Sequence, residues 1–435
     1  MELIIASFLG TIAGIFVGLL PGFGMSVCLL LFSPLLIQQS LIFSLLFYCC
    51  ASSASQYFGS ITTFAFKIPG ESTSFPLLEL MKNNDFLKKI GDAYFLTSFG
   101  SLFASIFSGI LIIVFYPYLS LFTGYLKTYV VFFFCILGFI LCVLFSENKI
   151  HISLFLFLFG WITGKVGFDQ IHNSNFLTFD NVYLYGGIPT LPVIMGIYAI
   201  PSLYKMFLYS KNMQQTKNQI ILSETKLSLI MNNYKTMIVS SFVGFIMGLI
   251  PYMGNATSSY VSYFLDKKIN KNNYISNAIA SETANNSANL SVLIPLVFLG
   301  IAIIPSEFLL LEILPLGNKT MNLIEIKSYF IIIFFLLLVS NILCFYASWN
   351  FILPLINMMK TFNILVPLLL FFGVTFAVLY IGYDYSQFVY YLITLLLFSI
   401  IGICFHKKDM LPFIYAFFLQ NHFESILYRF MTLYI

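Results

Sequence analysis

The chain has 435 residues, of which 60% are hydrophobic and 9% are charged, and its formal net charge is +4. This composition excludes a soluble globular protein, and the small positive charge, carried largely by lysines in loops, does not indicate nucleic-acid binding. Many apolar runs approach the roughly 20 residues that a membrane-spanning helix needs. The sequence therefore predicts an all-α, polytopic integral membrane protein.

The chain begins with two short apolar segments, 3–20 and 25–38. The sequence Pro-Gly-Phe-Gly at 21–24 separates them and interrupts a helix, so either a helical hairpin or two tilted helices is expected. A further helix is predicted at 41–57. The mixed polar and apolar stretch at 59–72 is expected to be irregular backbone, which is tolerated at membrane depth only where it is buried in protein or lines a cavity.

After a charged loop, apolar helices are predicted in the middle of the chain at 93–118, 126–146, 150–168 and 187–208. The loop at 169–186 contains no lysine or arginine. The segment 209–235 is long, polar and rich in Lys, Asn and Gln. It is predicted to be a cytoplasmic linker between two halves, without a domain fold of its own.

The second half repeats the order of the first. An apolar segment at 236–250 is interrupted at 251–254, a second segment follows at 255–265, and a helix is predicted at 276–298. The pattern Gly14, Gly18, Pro21, Gly24 recurs with the same spacing as Gly244, Gly248, Pro251, Gly254. Closing helices are predicted at 328–347, 362–381 and 385–404. The predicted organisation is a first repeat at 1–125, connecting helices at 126–208, the linker at 209–235, a second repeat at 236–350 and C-terminal helices at 351–435.

Basic loops exchange places between the two halves. Loop 79–92 carries three lysines, whereas in its counterpart near 312–327 two lysines are balanced by two glutamates. Loop 266–271 carries three lysines, whereas its counterpart at 36–41 has no charge. Because lysine and arginine accumulate on the cytoplasmic side, this pattern predicts two repeats of inverted topology, with 79–92 and 266–271 inside and 36–41 outside.

The predicted helix at 276–298 carries an unusual polar stripe. Glu282, Asn285, Asn286 and Asn289 recur at the spacing of one helical face. Within a membrane such a face is costly unless it meets a partner, a cavity or a ligand. An alignment of the halves that continues from the glycine and proline pattern without gaps places a second polar set at the matching positions of the first half: Ser52, Ser55, Gln56 and Gly59.

Two hypotheses apply to Glu282. It is either a carboxylate near a helix start, where the helix dipole favours it, or a proton or sodium site with Asn285, Asn286 and Ser287 as polar partners. Lys67 likewise either forms a local ion pair with Glu71 or receives an anionic substrate.

The candidate substrate contacts lie at the interruptions and the polar stretch that follows the first one. Interrupted helices expose backbone N–H and C=O groups that can hold ions. We expect substrate contacts from Gly22, Gly24, Ser60, Thr62, Thr63, Lys67, Gly254 and Asn255. Enzyme signatures are missing from the sequence, since its four histidines lack the metal spacing His-Glu-x-x-His and no phosphate-binding loop occurs. The prediction is a non-enzyme with no resident metal or cofactor.

A set of motifs follows in order along the chain. It comprises the glycine and proline pattern at 14–24, Gly-Ser-Ile at 59–61, Ile-Pro-Gly-Glu at 68–71, segments 166–169 and 191–199, the second glycine and proline pattern at 244–257, Glu-Thr-Ala-Asn-Asn at 282–286 and Leu-Ile-Pro at 293–295. Together they resemble the large membrane subunit of tripartite tricarboxylate transporters, the TctA family. The resemblance also places Pro69, Gly70 and Thr257 among the substrate-binding residues, and the family's motifs carry over to Glu71 and Pro295.

This sequence departs from the family pattern in the second half. Tyr252 replaces the second glycine of a Pro-Gly pair, the sequence before Pro305 lacks the family's Ile-Pro-Gly-Ser-Pro turn, and Leu290-Ser291 replaces two glycines. In the first half, Lys67 stands where a neutral residue is usual. The second half of the site is therefore expected to be bulkier and less flexible.

The resemblance implies a secondary-active permease subunit of the bacterial inner membrane. It would import small organic anions of the tri- or dicarboxylate type by alternating access, driven by H⁺ or Na⁺. Its expected partners are a small membrane subunit and a periplasmic solute-binding protein. The alternatives are a passive anion channel and a degenerate membrane subunit that transports nothing.

Overall fold

The computed structural model describes most of the helical part of the chain. The described residues are 1–20, 24–37, 39–66, 75–125, 148–169, 173–201, 225–250, 254–271, 273–299, 304–313, 323–352, 354–356 and 385–406, with short pieces and single residues at 133–146, 204 and 408–427. Within this part the architecture is almost entirely helical. The predicted helix at 362–381 and the interruptions at 21–23 and 251–253 lie outside the described residues.

The first half contains two short helices, a long buried helix and a second long helix, joined by shorter pieces. The helices are α1 (Glu2–Leu19), α2 (Met25–Leu36), α3 (Leu41–Phe66), α4 (Phe75–Leu80), α5 (Asn84–Lys88) and α6 (Ile90–Tyr125).

The middle of the chain contains a helix and a small hairpin. These elements are α7 (Ile150–Gly164), the strands β1 (Gly167–Asp169) and β2 (Ser174–Phe176), α8 (Val182–Tyr185) and α9 (Thr190–Ile194), which a π-helical turn extends through Ala199. The two strands pair antiparallel, with Phe168 opposite Asn175. The predicted loop 169–186 therefore contains regular structure.

The second half contains α10 (Lys226–Leu249), α11 (Gly254–Ile269), α12 (Tyr274–Ser291), α13 (Leu293–Leu299), α14 (Pro305–Ile313), α15 (Leu323–Asn350) and α16 (Tyr385–Cys404). Helix α10 begins inside the predicted linker 209–235. Its N-cap explains why, because the Thr225 side chain accepts a hydrogen bond from the Ser228 N–H. Helix α12 begins in the same way, with Asn273 accepting from the Ser276 N–H.

Within the described residues, five helices are long and apolar enough to cross a membrane. They cover Glu2–Leu19, Leu41–Ala65, Ile90–Phe115, Ile332–Asn350 and Gln387–Cys404. Two shorter apolar helices, α2 and α7, accompany them. The prediction of an all-α polytopic membrane protein is confirmed.

Helix α3 corrects one expectation about local structure. The backbone at 59–66 is helical, not irregular, since α3 continues to Phe66. The hydroxyls of this stretch bond to carbonyls one turn earlier, as Ser60 does to Gln56 and Thr62 does to Gly59. Side chains that are satisfied by their own helix need no irregular backbone, so polar composition alone was a misleading signal.

Glycines bring the first and third helix of each half into close contact. Along α1, Gly10, Gly14 and Gly18 face the backbones of α3 residues 47, 51 and 55 in the same order. Along α10, Gly244 and Gly248 face the backbones of α12 residues 284 and 288, again in the same order. Because residue numbers rise together on both partners, the two helices of each pair run parallel. The small-xxx-small spacing therefore has the packing role that it usually has in membranes.

The contacts of these glycines correct the alignment of the two halves. Gly14 meets Ala51 and its counterpart Gly244 meets Ala284, so Ala51 and Ala284 occupy equivalent places on the third helices. An alignment without gaps would instead have paired Ala51 with Ser281. Each position of α3 therefore corresponds to the residue of α12 that lies three positions after the one the gapless alignment predicted.

The lengths of the hairpin helices explain this shift. Helix α11 has 16 residues where α2 has 12, so the register changes before the third helix of each half begins. The starts of α3 at Leu41 and of α12 at Tyr274 are equivalent in the corrected alignment. Consequently Glu282 corresponds to Cys49 and not to Ser52.

Equivalent helices of the two halves contact each other in opposite directions. Between α3 and α12, Ser52 bonds to Asn289 and Ser60 bonds to Glu282, so one number rises as the other falls. Helices α6 and α15 are equivalent in the corrected alignment, and their contacts also run in reverse, at positions 94 with 348 and 105 with 341. Antiparallel contact between equivalent helices is what inverted repeats require, and it supports that prediction.

Candidate functional site

Helix α12 is polar but buried along all but its first two residues. Every residue from Ser276 to Ser291 is buried. Helices α3, α6, α10 and α11 surround it, and α4 contacts it as well. The polar stripe predicted from the sequence therefore faces other helices and not lipid, as the cost of exposing it to hydrocarbon requires.

One polar contact joins the carboxylate of the stripe to the first half. The Ser60 hydroxyl of α3, which also bonds to the Gln56 carbonyl at 2.9 Å, lies 3.2 Å from Glu282 Oε2 and shares its proton between the two acceptors. Both side chains are buried, with Glu282 only 2% exposed. A predicted substrate residue and a predicted cation-coupling residue are thus in direct contact across the interface between the halves.

A second polar contact lies about two turns away, toward the C-terminus of α12 and toward the N-terminus of α3. Asn289 Oδ1 accepts hydrogen bonds from the Ser52 hydroxyl of α3 at 2.7 Å and from the Asn255 amide of α11 at 3.2 Å. Asn255 stands in the first turn of α11, directly after the second interruption. Asn289 therefore connects both halves and the start of the interrupted helix.

Between these two contacts, α3 and α12 present amide side chains. Asn286 Nδ2 donates to the Ser101 hydroxyl of α6 at 2.8 Å and to the Glu282 backbone carbonyl at 3.1 Å. Gln56 lies on α3 midway between Ser52 and Ser60 and is 4% exposed. The polar stripe therefore continues without an apolar gap from one contact to the other.

Ser287 has contacts of a different kind. Its hydroxyl lies 2.6 Å from the Ser108 hydroxyl of α6 and donates to the Ser241 carbonyl of α10. These contacts join packed helices and do not involve Glu282. Its predicted part in cation coupling stays a prediction, as does that of Asn285, which is buried.

Some of the predicted substrate residues lie in described helices, and the others lie outside the described residues. Thr62 and Thr63 are fully buried, and both hydroxyls donate to the Gly59 carbonyl. Thr257 is half-buried on α11. The others predicted near them, Gly22, Lys67, Pro69 and Gly70, lie outside the described residues, as does Glu71.

The two described glycines of the interruptions have distinct backbone roles. Gly24 is the N-cap of α2, has no side-chain cap, and has open space where a Cβ would stand. Gly254 has φ +38°, in the left-handed region that favours glycine. This backbone requirement explains the glycine at the start of α11 without any ligand.

Sequence reasoning missed part of this arrangement. Asn289 belonged to the polar stripe but was not predicted as a site residue, although it connects three helices. Ser101 gave no signal, because a lone serine in the apolar helix α6 is not distinctive. Ser52 and Gln56 were noticed as a polar set, but through the uncorrected alignment of the halves.

Comparison with known proteins decides the family. The model of the "Tripartite tricarboxylate transporter TctA family" matches residues 4–414. The chain belongs to the TctA family. The resemblance inferred from the glycine, proline and asparagine motifs is therefore confirmed.

One curated relative is similar along much of the chain. It is described as "Uncharacterized 52.8 kDa protein in TAR-I ttuC' 3'region" from Agrobacterium vitis and is 25% identical over 343 residues, or 73% of this chain. The match spans 66% of that protein's length. No solved structure matches the chain.

TctA proteins are the large membrane subunits of tripartite tricarboxylate transporters, which are transporters and not an enzyme family. Family membership and the apolar helices agree on a multi-pass membrane protein. The transporters to which the family's members belong are tripartite, so they contain other subunits besides the large one.

Proposed function

We propose that this TctA-family chain is a secondary-active permease subunit that imports small organic anions of the tri- or dicarboxylate type. Transport is coupled to a cation, and Glu282 is the group that holds it. A periplasmic solute-binding protein delivers the substrate, and a small membrane subunit completes the complex in the bacterial inner membrane. The observation that carries the proposal is the buried contact between Glu282 and Ser60, because it joins a carboxylate of one half to the other half.

A contact between the halves suits alternating access. If inverted repeats move against each other, the groups at their interface change surroundings while groups within one repeat do not. The contacts of Glu282 with Ser60 and of Asn289 with Ser52 both cross this interface. They would therefore differ between the outward-facing and inward-facing states.

The burial of Glu282 favours binding of a cation to its carboxylate. Moving an ionised carboxylate from water into a low-dielectric interior costs several kcal/mol after relaxation, on the order of magnitude found for buried ions in proteins. A proton or a metal cation removes that cost by neutralising the charge. Loading and release of the cation would then be linked to the movement that buries and exposes Glu282.

The starts of α2 and α11 supply the proposed substrate contacts. Each follows an interruption, and the first backbone N–H groups of a helix favour an anion. Gly24 leaves the start of α2 uncapped and sterically open. Asn255, at the start of α11, is held by Asn289 of the polar stripe. We expect Ser60, Thr62, Thr63 and Lys67 to complete the anion site.

Uptake by the reconstituted complex tests the proposal. The chain is purified with its small subunit, placed in liposomes and supplied with the solute-binding protein and a radiolabelled tricarboxylate, under an inward H⁺ or Na⁺ gradient. We expect accumulation that collapses with the gradient. Glu282→Gln should abolish accumulation while substrate exchange without a gradient persists, because exchange needs no net movement of the coupling cation.

The alternatives predict other results. In a passive channel, Glu282→Gln would leave downhill flux unchanged and no gradient would drive accumulation. A degenerate subunit would transport nothing, even with all partners present. Asp85→Asn is the matched control, since it removes an exposed carboxylate on α5 and should leave uptake as in the wild type.

A further inference from the structure

Two amide oxygens in the interface between α3 and α12 have no hydrogen-bond partner among the described residues. They are Gln56 Oε1 and Asn286 Oδ1. Gln56 is 4% exposed and Asn286 is 2% exposed, so bulk water does not satisfy them. Buried polar atoms in proteins are nearly always partnered, and a pair of acceptors left over at one place points to a bound donor or cation.

The orientation of Asn286 is set by its own contacts. Its Nδ2 donates to the Ser101 hydroxyl and to the Glu282 carbonyl oxygen. Rotating the amide by half a turn would place its oxygen against that carbonyl and lose a bond. The oxygen of Asn286 is therefore the atom that remains available.

The helix register brings these oxygens near the carboxylate. Ser60 contacts Glu282, Gln56 precedes Ser60 by one turn, and Asn286 follows Glu282 by one turn. Because α3 and α12 run antiparallel, Gln56 faces Asn286 across the interface as Ser60 faces Glu282. One such step along a helix rises about 6 Å, so the register places Glu282, Gln56 and Asn286 within about one helical turn of one another at this interface.

The chemistry of this set favours a small hard cation. Carboxylate and amide oxygens are hard ligands, suited to alkali and alkaline-earth ions and not to soft metals. A single carboxylate supplies one negative charge, whereas dedicated calcium sites combine several carboxylates. A proton on Glu282 would give one donor and could serve only one of the two amide oxygens. A monovalent ion can contact all three groups.

We infer that Gln56, Glu282 and Asn286 form a sodium site that spans the two halves. The inference rests on the proposed function and deepens it, because it names the coupling ion and adds Gln56 as a ligand from the first half. Bound Na⁺ would draw α3 and α12 together through ligands on both. The state of the interface would then depend on whether the ion is present.

Direct binding of ²²Na⁺ to the purified full-length chain in detergent tests the site without any partner or substrate. Scintillation-proximity counting should show saturable binding to the wild type that unlabelled Na⁺ displaces and choline does not. We expect Gln56→Leu and Asn286→Leu to weaken binding at least tenfold. Gln56→Glu keeps an oxygen at the same place and should bind Na⁺ at least as tightly as the wild type. Asn341→Leu removes a buried amide whose oxygen is already bonded to Ser105, and it should bind like the wild type.

The outcomes separate this inference from the proposed function. Absence of saturable Na⁺ binding to the wild type, or unchanged binding in Gln56→Leu together with Asn286→Leu, overturns the sodium site. If uptake in liposomes is then driven by a pH gradient alone, the permease proposal stands without it. The wild type and the variants could instead bind Na⁺ as expected while the complex accumulates no carboxylate. That result would support the sodium site and reject the permease proposal. Loss of binding in Gln56→Glu as well would assign Gln56 to helix packing and reject it as a ligand.

Discussion

The contact between α10 and α12 can be tested with one methyl group. Gly244→Ala adds a Cβ that would lie 2.8 Å from both the backbone carbonyl carbon and the Cα of Ala284. Carbon atoms pack at about 3.5–4.0 Å, so the two helices must separate locally by about 0.7–1.2 Å. Backbone atoms cannot rotate out of the way as a side chain could.

Two destabilising effects and one stabilising effect set the change in the free energy of unfolding. Overpacking costs about 1–3 kcal/mol. Separation would also strain the hydrogen bond between Thr236 and Ser276, 2.9 Å long and in the same register, which contributes about 0.5–1.5 kcal/mol. Alanine in place of glycine within a helix returns about 0.5–1 kcal/mol. The net expectation is a loss of about 0.5–4 kcal/mol in the free energy of unfolding.

Thermal unfolding in detergent measures this loss. A thiol-reactive dye reports unfolding, because Cys28, Cys49, Cys50 and Cys344 are buried in the folded chain. Gly244→Ala should unfold several degrees below the wild type. The control Gly186→Ala, which has open space at its Cβ, should not. An unfolding temperature for Gly244→Ala equal to or above that of the wild type would refute the close approach, and with it the corrected alignment of the two halves.

Further predictions concern topology, the second polar contact and a surface charge. In a background whose seven native cysteines are all replaced, Ser40→Cys should react with an impermeant maleimide from outside the cell and Lys268→Cys should not. Labelling of both from one side would contradict inverted repeats. Asn289→Ala removes the acceptor of a serine on α3 and of an amide on α11 and should destabilise the fold by about 1–3 kcal/mol for each donor left unpaired, as dye-monitored unfolding would show. Hydrogen bonding and charge attraction from Lys88 hold the pKa of Asp85 below its usual 3.8, so the pair's contribution is present above that pH and lost as the pH falls through the folded-state pKa. Both side chains are 74% exposed, so Asp85→Asn should leave the unfolding temperature at pH 7 nearly unchanged and remove only a small acid dependence; a large loss at pH 7 would contradict this exposure.

Much of the site could be predicted because polar residues in an apolar chain are conspicuous. The spacing of Glu282, Asn285 and Asn286 indicated a buried helical face, and all three residues are buried on α12. The glycines of α1 and α10 indicated close helix packing, and each faces a backbone. These features depend on spacing along one helix, which the sequence displays directly.

Other features depend on which helices meet, and no single segment carries that information. The equivalence of Glu282 with Cys49 follows from the different lengths of α2 and α11, which shift the register after an alignment that begins correctly. The partners of Asn289 come from α3 and α11, far away in the chain.

Composition and spacing determined by themselves that this chain is a helical membrane protein with a conspicuously polar helix, because water-to-lipid transfer penalises polar groups so strongly, and they predicted two similar halves. Tertiary structure alone decided which polar groups meet. It set α3 against α12 in antiparallel register and thereby brought Ser60 to Glu282 and Ser52 to Asn289. The reason is geometric: a hydrogen bond between distant residues depends on the direction and axial shift of two packed helices, and neither quantity is encoded in the residues of one helix alone.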